Sequence, residues 1–237
     1  MRRPSLLAAL LAIGLAPHPT GAADGPPTVV ELFTSQGCSS CPPADAYLGE
    51  LAGRGGVVAL SFHVAYWDRL GWKDPFASAW ATDRQYGYGA ALGLNGVYTP
   101  QMVIDGATDA VGSHRAAIER VLEASRAAAG SRLAVALRRD AQGLAVVLPR
   151  ATLNAPVGVW LARYDPLTRT TDVKRGENGG RRLENVNVVK ALERVATWNG
   201  ADATLRVPAP TGDGVAVLVQ REGQGAILGA AALAPAG

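Results

Sequence analysis

Residues 28–45 read Thr-Val-Val-Glu-Leu-Phe-Thr-Ser-Gln-Gly-Cys-Ser-Ser-Cys-Pro-Pro-Ala-Asp. The first six residues, β-branched and aromatic around one glutamate, predict a strand, and Thr-Ser-Gln-Gly turns it into a loop. Two cysteines follow at once, separated by two serines. Beyond them Ala44, Tyr47, Leu48 and Leu51 recur at i, i+3, i+4 and i+7, the spacing of one apolar helix face, and Gly53, Gly55 and Gly56 stop the helix. Pro42 and Pro43 suit its first turn, whose amides have no intrahelical partner. Val57 to Val64 is a second apolar run of strand length, which makes a parallel, right-handed strand, helix, strand unit.

Downstream, a polar and aromatic loop from Ala65 to Lys73 leads to Asp74-Pro75, read as an N-cap and first helical residue opening a helix to about Leu92. Gly93 to Tyr98 is loop. After Pro100, residues 101–104 predict a strand, Asp105-Gly106 a tight hairpin turn, and residues 108–111 its partner. Ser113 is placed as the cap of a helix with Ile118, Val121, Leu122 and Ser125 on one face, ending at Gly130. From Ser131 the texture changes. Short β-type runs at 132–137, 144–148, 157–162, 185–189, 203–207, 215–220 and 226–231, broken by Gly, Pro, Asn and Asp, predict a small antiparallel, β-sandwich-like domain. The expected organisation is therefore an α/β domain over residues 24–130 and a β-rich domain over residues 131–237, behind a leader at residues 1–23.

That leader is read from Arg2 and Arg3, the apolar run Leu6 to Leu15 and the small residues Thr20, Gly21, Ala22 and Ala23, the three regions of a secretory signal peptide. The run is about half the roughly 20 residues a spanning helix needs, so no stable membrane insertion is expected after cleavage. Lipid anchoring would need a cysteine behind the cleavage point, and the only two are Cys38 and Cys41. Without residues 1–22 the chain has 21 basic against 20 acidic residues, nearly neutral, with no clustered basic face, which argues against a nucleic-acid partner. The expected location is the periplasm or the cell exterior. Hydrophobic residues make up 48% of the chain and charged ones 18%, a composition that buries a core rather than staying disordered.

Cys38 and Cys41 lie one helical turn apart at a strand-to-helix junction. The first sits near free amides and the positive end of the helix dipole, which favour thiolate over thiol, so Cys38 is the expected nucleophile and Cys41 the resolving thiol. Two other readings stay open. A static disulfide is common in exported proteins, although closing so short a loop removes only about 2 kcal/mol of chain entropy. A soft metal site would have only His63, His114 and Met102 to add to the cysteines, so it would need carboxylates or a second chain. No cofactor or bound metal is expected.

The order strand, CxxC, helix, strand, helix, Thr-Pro, strand, strand, helix resembles the thioredoxin superfamily. That resemblance implies a cis Pro100 facing the cysteines and Thr99 as a residue that docks the substrate backbone. More narrowly, the blocks Val30–Asp45, Phe62–Asp74 (Phe-His-Val-Ala-Tyr-Trp-Asp-Arg-Leu-Gly-Trp-Lys-Asp) and Val97–Gly106 (Val-Tyr-Thr-Pro-Gln-Met-Val-Ile-Asp-Gly) are similar to the secreted bacterial family called domain of unknown function 1223. Gly-Glu-Asn-Gly-Gly (176–180) and Asn-Val-Val (187–189) extend the similarity into the second domain. There are two departures. The buried acid that thioredoxin carries six residues before its first cysteine is Leu32 here, with Glu31 on the other face of the strand. Ala65 stands where the narrower family usually has Asp.

Among weaker signals, His63 reads as a hydrogen-bonded structural residue rather than a catalytic one. Tyr66, Trp67 and Trp72 either pack a long loop or offer an apolar surface to a peptide. Arg175 to Arg182 lacks the spacing of a phosphate loop and reads as a turn between strands. No residues are spaced as a Ser/His/Asp triad. The expected function is an exported thiol-disulfide oxidoreductase acting on protein or peptide thiols and served by a redox partner. Cys38 and Cys41 are its catalytic residues, and Thr99 and Pro100 bind substrate. The alternatives are a non-enzymatic binding module with a static bridge and a metal carrier.

Overall fold

The computed structural model describes residues 25–235, so the leader at residues 1–23 lies outside the described residues. The N-terminal half runs β1 (Thr28–Thr34), α1 (Pro42–Ala52), β2 (Val57–His63), α2 (Ala79–Ala91), β3 (Gln101–Ile104), β4 (Thr108–Val111) and α3 (Arg115–Ala127). The rest is strand: β5 (Ala136–Asp140), β6 (Gly143–Leu148), β7 (Val157–Asp165), β8 (Arg169–Asp172), β9 (Arg182–Asn185), β10 (Val188–Trp198), β11 (Ala203–Val207), β12 (Gly214–Arg221) and β13 (Ile227–Leu233). The protein is thus mixed α/β, with one large mixed sheet and few helices.

The large sheet has eight strands in the order β13-β12-β7-β10-β2-β1-β3-β4. β1 and β2 are parallel in the register Thr28↔Val57 to Thr34↔His63, and β3 runs antiparallel to β1. β10 joins β2 through the parallel pair Val188↔Ser61. The sheet therefore runs across the boundary drawn at residues 130 and 131, taking strands from both segments. β6 is flanked by β11 and β5 in a separate three-stranded sheet, and β8 and β9 form a hairpin.

Strand alternation sorts the core. Val29 and Phe33 of β1, with Leu60, Phe62 and Val103, face α2 through Ala81 and Tyr88. The same cluster continues under the C-terminal strands to Ala216, Leu218 and Ile227. Val30 and Leu32 face the other way, onto Ala44, Tyr47 and Leu48 of α1 and Ile118 and Leu122 of α3. On that face of the C-terminal strands, Val157, Val159, Val215 and Val217 pack against Leu144, Val146 and Leu148 of β6.

Several local expectations move by a few residues. α2 starts at Ser78, whose hydroxyl accepts from the Ala81 N–H, and not at Asp74, whose carboxylate is committed elsewhere. α3 is capped at His114, one residue past Ser113. The run 185–189 is split between β9 and β10 by Asn187, which takes a positive φ of 48° and donates its side-chain amide to the Ala59 carbonyl. Asp105-Gly106 turns as expected, both residues having positive φ.

The two halves are tied by a buried polar network. Arg84 of α2 donates Nε to Glu31 Oε1 at 2.7 Å and Nη2 to Glu31 Oε2 at 3.1 Å, to Tyr88 at 3.0 Å and to Gln220 of β12 at 3.2 Å. The Tyr88 hydroxyl donates to Glu31 Oε2 and accepts from Gln220. Both ions are buried, and removing one strands the other in low dielectric. Arg84→Ala is expected to cost about 3–5 kcal/mol in urea unfolding, and Glu31→Leu/Arg84→Met to recover part of that loss.

Candidate functional site

Cys38 and Cys41 form a disulfide with Cα atoms 5.5 Å apart, at the point where β1 ends and α1 begins. Both are 0% exposed. The Cys41 carbonyl starts the helix by accepting from the Ala44 and Asp45 N–H groups, and Pro42 and Pro43 fill the first two helical positions, where no donor is needed. Every bonded amide of the preceding loop has a defined acceptor. Gln36 N–H donates to Asp74 Oδ2 at 2.8 Å, Gly37 N–H to the Ser35 hydroxyl, Cys38 N–H to the Ser35 carbonyl, and Ser39 N–H to Glu177 Oε2 at 3.0 Å.

Thr99 and Pro100 come to the same end of the sheet. The pair Phe33↔Gln101 sets Pro100 level with Thr34, at the exit of β1, and the Thr99-Pro100 peptide is cis. The backbone of Gly112 fits between this turn and α1. A Cβ there would lie 2.9 Å from the Ala44 Cβ and 3.2 Å from the Pro100 Cβ, so a side chain would push the two apart. The aromatic loop packs on both parts of the site: Trp67 Nε1 donates to Thr99 Oγ1 at 2.8 Å and Trp72 Nε1 to Gln36 Oε1 at 3.1 Å. Ala65 lies at the start of that loop with its N–H donated to Thr82.

Beneath the disulfide is a buried polar cluster. Leu32↔Ser61 and Thr34↔His63 are paired in parallel register, which points Thr34, Ser61 and His63 at α1 on the same face as Leu32. His63 Nδ1 bonds Asp74 Oδ2 at 2.7 Å, both side chains being fully buried. Asp45 lies one turn after Cys41, so the two stack on one helix face. Ser61 Oγ and His63 Nε2 are buried there without a protein partner, and Thr34 and Asn185 lie against the Asp45 carboxyl.

The ionisation of the two acids diverges. Burial lifts Asp45 from its ordinary 3.8 to about 7, against the opposing pull of His63, Thr34 and Asn185. Asp74 is also pushed up by burial, but His63 and the Gln36 and Phe76 N–H groups more than reverse this and hold it below its usual value. The site thus carries a fixed anion beside His63 and, one turn under Cys41, a carboxyl that can take or give a proton near neutrality.

A third segment completes the site from far along the chain. Between β8 and β9, buried Asn178 donates Nδ2 to the Gln36 carbonyl and to the Cys38 carbonyl, each at 2.9 Å, and accepts from Arg181. Gln36 Nε2 in turn donates to Thr171 at 3.0 Å and to Asn185 at 2.9 Å. The turn expected at residues 175–182 is indeed a turn between strands, and it is fastened to the cysteine loop. Asp45, Asp74, Glu177 and Asn178 are the residues that sequence reasoning passed over. The i+4 spacing from Cys41 was a legible signal for Asp45; Asn178 has none nearby. Among the described residues, no three His, Cys, Asp or Glu side chains converge in an arrangement that could hold a metal ion.

Fold and site together define a mixed α/β protein with a buried CxxC disulfide at the mouth of a helix, clamped by a loop from its β-rich half. The chain belongs to the family described as "Protein of unknown function (DUF1223)", which matches residues 29–220. It is similar to a crystal structure of an Agrobacterium tumefaciens protein, a structural-genomics target. The identity is 36%, the TM-score 0.78, and the match covers 90% of this chain and 96% of that one. HBP35 of Porphyromonas gingivalis, at 12% identity and TM-score 0.57 over 91% of this chain and 77% of its own, shares the fold. No curated protein matches.

Asp45 gives the site a pH signature. The folded state keeps its proton up to about pH 7 while the unfolded chain releases it near pH 3.8, so stability from this group falls as pH rises through that window and levels off above it. Asp45→Asn should remove this component. Its free energy of unfolding minus that of the parent, measured in urea on the oxidised protein, should increase progressively between pH 4 and pH 8.

Proposed function

We propose that this protein is an exported thiol-disulfide oxidoreductase with a thioredoxin-like segment over residues 24–130 and a β-sandwich-like segment over residues 131–237, working in the periplasm or outside the cell. The observation that carries the reading is the four-residue disulfide at the N-terminus of α1, one helical turn before a buried carboxyl that ionises near neutrality. A bridge this short contributes only about 2 kcal/mol to stability by loop closure, a weak reason to keep it for structure alone. A thiol next to a helix N-terminus is held toward its thiolate, which suits Cys38 to attack.

In the reductive direction, the Cys38 thiolate attacks a substrate disulfide, forming a mixed disulfide and releasing one substrate thiolate, which takes up a proton. Cys41 passes its proton to ionised Asp45 and its sulfur attacks Cys38 Sγ, breaking the mixed disulfide and releasing the second substrate sulfur as a thiolate, which takes up a proton. The two electrons the substrate gains come from the two cysteines, which end as the disulfide. A redox partner restores the dithiol, and in the oxidative direction the same steps run backwards. Thr99 and Pro100 present the backbone of a protein or peptide substrate to Cys38.

In a glutathione-coupled insulin reduction assay the mature protein should be active and Cys38→Ser inactive, while Cys41→Ser should accumulate a substrate mixed disulfide visible on non-reducing gels. Absence of both insulin reduction and trapping would overturn the reading. The complete burial of both sulfurs favours a second one, a binding module with a static bridge. A reduction potential below about −300 mV would support it, and a readily reducible pair would exclude it.

A further inference from the structure

The cysteine loop is fastened by a segment of the β-rich half, and that segment places a charge beside it. Glu177 is exposed on the β8–β9 turn and accepts the Ser39 N–H at 3.0 Å. Ser39 is bonded to Cys38, so covalent geometry puts the Glu177 carboxylate within about 8 Å of Cys38 Sγ, inside the ~10 Å over which charges interact at 0.1 M salt. In the disulfide Cys38 is neutral and the carboxylate has only a donor to face. In the dithiol form the Cys38 thiolate is a second negative charge at the same helix mouth.

We propose that Glu177, held in place by Asn178, is a positioning residue that sets the redox poise of the Cys38–Cys41 pair by favouring the disulfide over the thiolate. This rests on the reading of the pair as redox-active. Reduction breaks the Cys38 Sγ–Cys41 Sγ bond with two electrons from an external dithiol, which becomes a disulfide. Of the two protons that dithiol gives up, one goes to Cys41 and the other to solvent when Cys38 stays ionised. The Glu177 carboxylate opposes the charge left on Cys38, and by linkage reduction weakens the grip of the turn on Ser39.

The geometry separates this role from simple fastening. Asn178 holds the loop through two carbonyls without any charge, so Glu177 contributes its charge on top of a fixed scaffold. The other ionisable groups near the loop include the exposed cations Lys174, Arg175 and Arg181 of the same turn, Arg181 being bound to Asn178, and Asp45, His63 and Asp74 beneath it. The buried acids cannot be screened by salt, whereas Glu177 can. The exposed cations of the turn are the same in the parent and in Glu177→Gln, so the salt dependence of the difference between the two proteins reports on Glu177.

The test is the equilibrium of the mature protein with dithiothreitol and glutathione redox buffers, read by alkylation of free thiols, for the parent and Glu177→Gln, which keeps the acceptor and removes the charge. Glu177→Gln is expected to shift the equilibrium about three- to tenfold toward the dithiol, equal to about 15–30 mV. It should also lower the pH at which Cys38 becomes rapidly alkylated. The difference should shrink as salt is raised, and should vanish when the same substitution is made on Asn178→Ala, where the turn no longer positions the carboxylate. A parent and Glu177→Gln protein that differ by less than twofold, or a shift of the opposite sign, would overturn this proposal while leaving the redox reading intact. A disulfide that dithiothreitol does not reduce would overturn both.

Discussion

A strand buried on both faces has no solvent to accommodate a misplaced polar group, and β1 is buried along its whole length. Its alternation therefore dictates what surrounds it. Glu31, pointing at α2, is tolerable only because Arg84, Tyr88 and Gln220 close around it, and these bonds draw α2 and β12 onto the same side. Leu32 and Thr34, pointing the other way, fix where α1 lies. With both faces committed, the chain leaves β1 in a single direction, and that direction delivers Cys38 to the end of the sheet where β3 begins.

The polar cluster under the disulfide follows from that placement. In a two-sided sheet the last residues of parallel strands are where apolar packing gives out, and here Thr34, Ser61 and His63 occupy those ends beneath the first turn of α1. Asp45 of this cluster lies on α1, while Leu32 on the facing strand packs against Ala44, Tyr47 and Leu48. Asp45 is consequently closer in sequence to Cys41 than to Cys38. The clamp from the β8–β9 turn adds a second constraint from above, so the cysteine loop is held between a buried polar cluster and a charged rim.

Much of this was legible in residues 28–64, where periodicity, proline placement and glycine stops mark strand, helix and strand close to their observed limits. The reading slipped where one side chain had two possible uses. Asp74 has every property of an N-cap and does accept the Phe76 N–H through Oδ1, but its other oxygen takes the Gln36 N–H and the His63 ring, the turn it starts stops short of α2, and Ser78 caps that helix. The run 185–189 has the composition of one strand, but Asn187 turns to bond Ala59 and divides it. At both residues long-range hydrogen bonds, which local pattern alone does not reveal, act alongside local preferences worth about 1 kcal/mol.

The sequence by itself determined the chemistry at the centre, a paired cysteine at a strand-to-helix junction, because that depends on neighbours within a few residues and on the periods of strand and helix. It also separated Glu31 from Leu32 onto opposite faces. Only the tertiary structure decided that β10 would join β2 and carry one sheet through both halves, that Asp45, His63 and Asp74 would share an interior, and that Asn178 and Glu177 would grip the cysteine loop. Those pairings join residues 11 to 142 positions apart. No local pattern encodes them, because hydrogen bonds and burial at that range are set by how the layers stack.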